Sequence, residues 1–332
     1  MTYQLLLARA LRKLGILRLL ELRDSKPGIL IVNHHRIGAP DESGFDRHLF
    51  SATVDELNAQ VQYFKKRAPI VCGEELEDLV SGKTPLKRLH VAFTFDDGYL
   101  DNYTKAFDVF RSSGTTAAFF LVSDYVGTTT VPWWDEIAYK VRNTKRREIN
   151  LQYPAPLKLS LNGRRETSIM RILQHYKRTD NVCGEEFMSE IRRETDCALP
   201  AAGRRFLSWD EAREMRDAGM TIGSHTRSHA ILGRISAESQ RQELEDSKRE
   251  IERQLGSEVR ALAYPVGGRD CFSDLTEQIA VSAGYSMCFS AYGGINDATN
   301  LRRSNLLRGT VPSNPEQFRA VTIARVNHWT AH

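Results

Sequence analysis

The chain has 332 residues, 41% hydrophobic and 27% charged, with 46 Lys and Arg against 42 Asp and Glu. That balance excludes a disordered or fibrous chain and fits a soluble globular protein of one large domain or two ordinary ones. No apolar run reaches the roughly 18 residues that span a bilayer, and five scattered cysteines form no Cys-x-x-Cys pair, so free thiols in a reducing compartment are expected.

In chain order, residues 1–26 come first. From Tyr3 to Arg23, leucines interleave with Arg9, Arg12, Lys13 and Arg18. Arginines break the apolar stretch and no small-residue cleavage site follows, so the segment does not read as a signal peptide. It predicts an amphipathic helix, either packed on the domain or resting on anionic lipid. The expected location is cytoplasmic, with peripheral contact at the inner membrane face in the second case.

Six short apolar runs then read as buried strands: Ile29–Val32, Val91–Phe95, Ala117–Val122, Met220–Ile222, Ala261–Ala263 and Met287–Phe289. Between them, Val54, Leu57, Val61 and Phe64 recur at helical spacing over 54–66. Ser236 is placed to cap a long polar helix that Gly256 ends near Leu255, with Glu245 and Arg249 as an i,i+4 pair. Strands alternating with helices predict an α/β fold with a parallel sheet. Polar residues sit just after four strands: Asn33-His34-His35, Asp96-Asp97, His225 and Tyr264-Pro265. An open sheet gathers ligands at one switch point, whereas a barrel collects them around its C-terminal rim, so a barrel is expected. The domain reading is 27–127 and 206–332 as two parts of one barrel, interrupted by an insertion at 128–205.

Phe93–Gly98 reads Phe-Thr-Phe-Asp-Asp-Gly, and Gly223–His229 reads Gly-Ser-His-Thr-Arg-Ser-His. Successive strand side chains face opposite ways, so two adjacent aspartates reach one site only where the backbone turns, which Gly98 permits. His225 and His229, four apart, share a face if helical and could hold one metal. Zinc proteases carry a glutamate after the first such histidine; Thr226 stands there, so the base must come from elsewhere, and Asp96 is the candidate. With Asp97 as third ligand, the site is a His₂Asp centre with open positions, a catalytic arrangement.

These residues resemble the polysaccharide deacetylases of NodB-homology type (carbohydrate esterase family 4). Thr94–Gly98 match the first motif, His225–His229 the second, and Tyr264-Pro265-Val266-Gly267 the third, with Val266 in place of the usual aromatic. The resemblance implies a distorted (β/α)7-type barrel, the NodB fold, and a metal-dependent hydrolase that removes an acetyl group from N-acetylated units of a polysaccharide or its precursor. It implies Asp96 as general base, Asp97, His225 and His229 as ligands of one divalent ion, the Val266 N–H at the oxyanion, and Tyr264 and Pro265 against substrate. Zinc suits these ligands first; cobalt, nickel and iron are compatible. The family's late Leu-x-His is missing. His34-His35-Arg36-Ile37 instead resembles the early strand of the circularly permuted branch, which includes poly-N-acetylglucosamine deacetylases. In that branch this strand supplies the acid; neighbours on a strand face opposite ways, so only one of His34 and His35 should enter the site, and His35, which matches the branch's histidine, is the expected one with His34 the alternative. Arg260 stands where some relatives place an arginine near the base, but a solvated charge at a strand start is the expected reading. Two other readings stay open: a deacylase or deformylase of a lipid-linked amino-sugar at the membrane face, and an inactive sugar-binding module on the same fold.

The insertion carries 15 Lys and Arg against 10 Asp and Glu, more than the chain's whole net charge of +4, and opens with Trp133-Trp134. It is expected to border the site as a lid, with Lys145, Arg146 and Arg147 gripping anionic groups. The excess is modest and no nucleic-acid motif accompanies it, so no nucleic-acid partner is expected.

Overall fold

A computed structural model describes residues 26–179, 183–201, 203–313, 317–319 and 321–322. The expected N-terminal helix lies outside the described residues. None of the described helices is long and apolar enough to cross a membrane. The chain divides into two compact units, one of residues 1–38, 50–127 and 206–332, the other of 39–49 and 128–205.

The first unit is built on seven parallel strands: β1 (Gly28–His34), β2 (Leu89–Phe95), β3 (Ala118–Leu121), β4 (Thr221–Ser224), β5 (Ala261–Ala263), β6 (Met287–Phe289) and β7 (Arg308–Gly309). Their order in the sheet is β6-β5-β4-β3-β2-β1-β7. The two edges meet because the chain leading into β7 runs beside β6. Leu306 bridges Phe289, its N–H reaches Cys288 O at 2.7 Å, and its carbonyl accepts Ser290 N–H at 3.0 Å. The result is a nearly closed barrel of parallel strands, as expected. β1 and β2 are buried along their whole length, which is why they read as unbroken apolar runs rather than alternating ones. Phe95 and Phe119, paired across β2 and β3, stack at 4.8 Å in the core.

The two helices expected near 54–66 and 236–255 are present, and among the described residues four more α-helices of this unit lie between the strands. α1 (Val54–Lys65) starts at a Thr53 capping box that uses Glu56. α2 (Gly73–Val80), α3 (Asp108–Ser113) and α4 (Trp209–Asp217) follow, the last capped by Ser208 and Glu211. α5 (Ala237–Leu255) is capped by Ser236 and stopped by left-handed Gly256. α6 (Asp274–Ser282) comes next. The expected Glu245–Arg249 pair gives way to Arg249–Asp246 at 3.1 Å and Arg241–Glu245 at 4.0 Å.

The second unit is more regular than its sparse periodicity suggested. It holds helices Trp133–Asn143, Arg165–Arg178 and Gly184–Thr195 and an antiparallel hairpin of Glu148–Leu151 with Leu157–Ser160. Residues 39–49 belong with it rather than with the barrel: Phe45 stacks on Tyr139 at 5.3 Å, and Asp46 N–H donates to buried Asp135 at 2.9 Å. Trp134 is core, and Trp133 packs on Tyr176 at 4.4 Å, so this pair serves packing within the unit.

Candidate active site

The two neighbouring histidines at the end of β1 part company, as alternation requires. His34 enters the core, stacked on Phe95 at 5.1 Å and bonded to Gln60 on α1 at 2.9 Å. Burial pushes its pKa down from 6.5 to about 4, against the Gln60 bond. The folded value lies below the unfolded one, so His34 stabilises the fold above about pH 6.5, and that contribution drains away as pH falls toward about 4. From about pH 7 to about pH 5, His34→Gln should therefore lose about 2 kcal/mol less stability than the native chain in urea unfolding. An equal loss in both would show that His34 is not held neutral.

His35 turns the other way. Its side chain is 28% exposed and its Nε2 lies 4.0 Å from Asp96 Oδ2. Side chains fix the backbone around it. His35 N–H donates to Ser51 Oγ at 3.0 Å, and Asn102 donates to His35 O at 2.7 Å. Asp101 accepts from Ile37 N–H and from Arg36 Nε, both at 2.9 Å. Asn102 opens a π-helical turn, Asn102–Phe107, a rare geometry that recurs at functional sites.

Asp96 lies fully within the barrel rim. Arg308 grips it with both arms, Nη1 to Oδ1 at 2.7 Å and Nη2 to Oδ2 at 3.0 Å, and Asn33 adds a bond to Oδ2 at 3.1 Å. Arg308 is 0% exposed, and its remaining donors reach Ser290 O, Asn33 Oδ1 and Thr94 Oγ1. Burial alone would raise the Asp96 pKa, but the Arg308 guanidinium bound to it holds it well below the ordinary carboxylate range. Arg308, not Arg260, is thus the arginine at Asp96. Arg260 is exposed and pairs with Glu258 at 2.8 Å and Glu77 at 3.2 Å. The signal for Arg308 was faint: one charge inside Leu306-Leu307-Arg308-Gly309, on a strand too short to show any period.

Asp97 and Gly98 both take left-handed φ, at 74°. A Cβ on Gly98 would meet Leu121 at 2.8 Å, so the turn that brings the second aspartate round needs glycine there. Asp97 Oδ1 is buried and accepts no hydrogen bond, yet lies 3.5 Å from His225 Nε2 and 3.4 Å from His229 Nε2. Two donors about 2.0–2.2 Å from a shared tetrahedral ion stand about 3.4 Å apart, so Asp97 Oδ1 has ligand spacing to each histidine nitrogen, and the three atoms lie within 4.8 Å of one another. His225 Nδ1 lies 2.8 Å from Ala263 O. A carbonyl only accepts, so Nδ1 carries the proton and the Nε2 lone pair faces Asp97. Burial pushes His225 down to about 4, Asp96 opposing, and a neutral imidazole is the form that ligates.

The helical spacing of the two histidines misled in one respect. Residues 225–230 are not a helix. Thr226 and His229 take φ of 65° and 63°, and the rings converge through a tight loop, centroids 4.8 Å apart. The Thr226 hydroxyl accepts His229 N–H at 3.1 Å, closing the turn.

Val266 also has positive φ, 62°, unusual for a β-branched residue. Gly267 packs against Ala291 so closely that a Cβ would meet its nitrogen at 2.8 Å. Tyr264 does not offer its side chain to a substrate: the ring is 1% exposed, stacks on Phe272 at 4.3 Å, and its hydroxyl donates to Ser304 O at 2.9 Å. Pro265 is buried too. Both residues hold the loop that carries Val266. Among the described residues five non-glycines have positive φ, and four of them, Asp97, Thr226, His229 and Val266, stand at this rim. Strain gathered there marks the site as built for more than stability.

The C-terminal rim of the parallel barrel thus brings a buried Asp-Arg pair beside a His₂Asp cluster that could hold a metal ion, an arrangement suited to hydrolysis. The family model for polysaccharide deacetylases matches residues 83–288, more than half of the chain, and the chain belongs to that family. It is 21% identical over 209 residues to YxkH of Bacillus subtilis, whose assignment as a polysaccharide deacetylase is itself provisional; the match covers 63% of this chain and 47% of that protein, so the chain spans about half the length of this relative. The fold is similar to the deacetylase PplD of Streptococcus pyogenes, solved in complex with acetate, at 18% identity and TM-score 0.56 over 91% of this chain and 99% of that one. It is equally similar to IcaB of Ammonifex degensii, at 18% identity and TM-score 0.57 over 91% and 98% of the two chains.

Proposed function

We propose that the protein is a metal-dependent hydrolase that removes an acetyl group from N-acetylated amino-sugar units of a polysaccharide or its precursor. The observation that carries this reading is the meeting of Asp97, His225 and His229 within 4.8 Å of one another beside the Asp96–Arg308 pair. Family membership and the acetate seen with PplD support the acetyl group. Asp97, His225 and His229 would hold the ion, zinc first among the candidates, and when bound it supplies Lewis acidity toward a carbonyl oxygen and toward water.

The chain's own residues do the rest. Asp96 Oδ1 accepts one bond from Arg308 and keeps a lone pair, with which it takes the proton of the attacking water. Arg308 and Asn33 fix the carboxylate plane, so that lone pair has one direction. The Val266 N–H stabilises the oxyanion, a task that asks only for a backbone donor and tolerates valine. His35 protonates the leaving amine, from the solvent-facing side of Asp96.

Two measurements test this. Incubating the metal-loaded chain with N-acetylglucosamine oligomers should yield products each lighter by an acetyl group in mass spectrometry; substrates returned intact would remove the acetyl reading. His35→Ala should lower turnover by about 10²-fold or more, whereas His34→Gln, facing the core, should change it little. The reverse ranking would assign the acid to the wrong neighbour.

A further inference from the structure

The loop that carries both histidines is held by a carboxylate from outside it. Glu243 lies on α5, nearly two turns past its Ser236 cap. One of its oxygens accepts the backbone N–H groups of Arg227 at 3.0 Å and Ser228 at 2.9 Å. The other accepts the Ser228 hydroxyl at 2.6 Å. These residues lie between His225 and His229, and the loop also contains the left-handed Thr226 and His229. Left-handed backbone costs a non-glycine residue on the order of 1–3 kcal/mol, so a loop with two such residues keeps its shape only where its surroundings over-determine it. The Arg227 side chain adds a second tether, to Asp124 at 3.2 Å and Asp246 at 3.4 Å, but these contacts are exposed and worth little. The Glu243 contacts are at the surface as well, but they are charge-assisted bonds to two peptide nitrogens and a hydroxyl, more directional than a side-chain ion pair and made to the loop backbone itself.

We infer that Glu243 is a positioning residue for the metal centre: it clamps residues 227–228 so that His225 and His229 converge on Asp97, and so sets the affinity for the ion. This rests on the metal reading above. Nothing in the sequence marked Glu243, one of many charges on a polar helix.

The test is Zn²⁺ affinity, measured by competition with a chromogenic chelator on the full chain, together with the thermal melting of the metal-free protein. Glu243→Ala should weaken binding by about 10–100-fold, as loss of an outer partner does. Glu243→Asp keeps the charge but falls short by a methylene, and should weaken binding similarly. Glu243→Gln still offers an oxygen to both N–H groups and should restore most of the affinity. The metal-free melting points should stay close to that of the native chain. A folded Glu243→Asp protein with native affinity overturns the inference, as does a loss that Glu243→Gln fails to restore. Zn²⁺ that does not bind the native chain sinks the metal reading itself, and that outcome is read without any variant.

Discussion

Asp96→Asn should leave the bound metal in place and lower kcat by about 10²–10⁴-fold, the worth of a positioned general base. The change is nearly isosteric, and its amide oxygen can still accept from one arm of Arg308, while its amide nitrogen faces a donor that the carboxylate had satisfied. What is lost is the negative charge and the basic lone pair. Arg308 is fully buried, so the variant also leaves a guanidinium facing a neutral group. Removing one partner of a buried pair typically costs about 3–5 kcal/mol, and part of that should appear as a lower melting temperature. Metal analysis, melting and turnover on one preparation separate these effects. Near-native turnover in a folded, metal-loaded variant would show that Asp96 is not the base.

The second large effect is expected at the ligands. Asp97→Asn and His229→Asn should each weaken metal binding by more than the roughly 100-fold upper range of an outer partner, and abolish turnover with it. Asparagine is the informative replacement at both places because it tolerates left-handed backbone, at φ 74° and 63°, better than alanine does. Loss of metal then reports loss of a ligand rather than of the turn. Either variant with full occupancy would remove that residue from the ligand set.

The barrel was largely legible in the sequence because buried parallel strands leave unbroken apolar runs and its helices carry explicit start and stop signals. Thr53, Ser236 and Gly256 act as their residue types predict. The candidate site was legible wherever its members sit in short contiguous patterns: Asp96-Asp97-Gly98, and His225 with His229. It was illegible where it depends on closure of the barrel. Arg308 reaches Asp96 from a two-residue strand more than two hundred positions away, and local periodicity carries no such information. The histidine loop was misjudged for a related reason. Spacing of four suits a helix, but these residues form a left-handed turn instead, whose backbone N–H groups donate to the Thr226 hydroxyl and the Glu243 carboxylate. Tyr264 was taken for a substrate contact because motif residues invite that reading, while its burial and its bond to Ser304 make it a support. The second unit was underestimated because its helices are heavily charged, which thins the apolar periodicity.

The central claim is that one divalent ion at Asp97, His225 and His229 is required for removal of an acetyl group. The most direct measurement is acetate released from an N-acetylglucosamine oligomer by chelator-treated full chain as Zn²⁺ is added back stepwise. The account predicts no release without the ion, a rise in proportion to the ion added, and a plateau at one equivalent per chain. Release that is undiminished by chelation, or that stays absent at every level of added Zn²⁺, Co²⁺, Ni²⁺ and Fe²⁺, would contradict it.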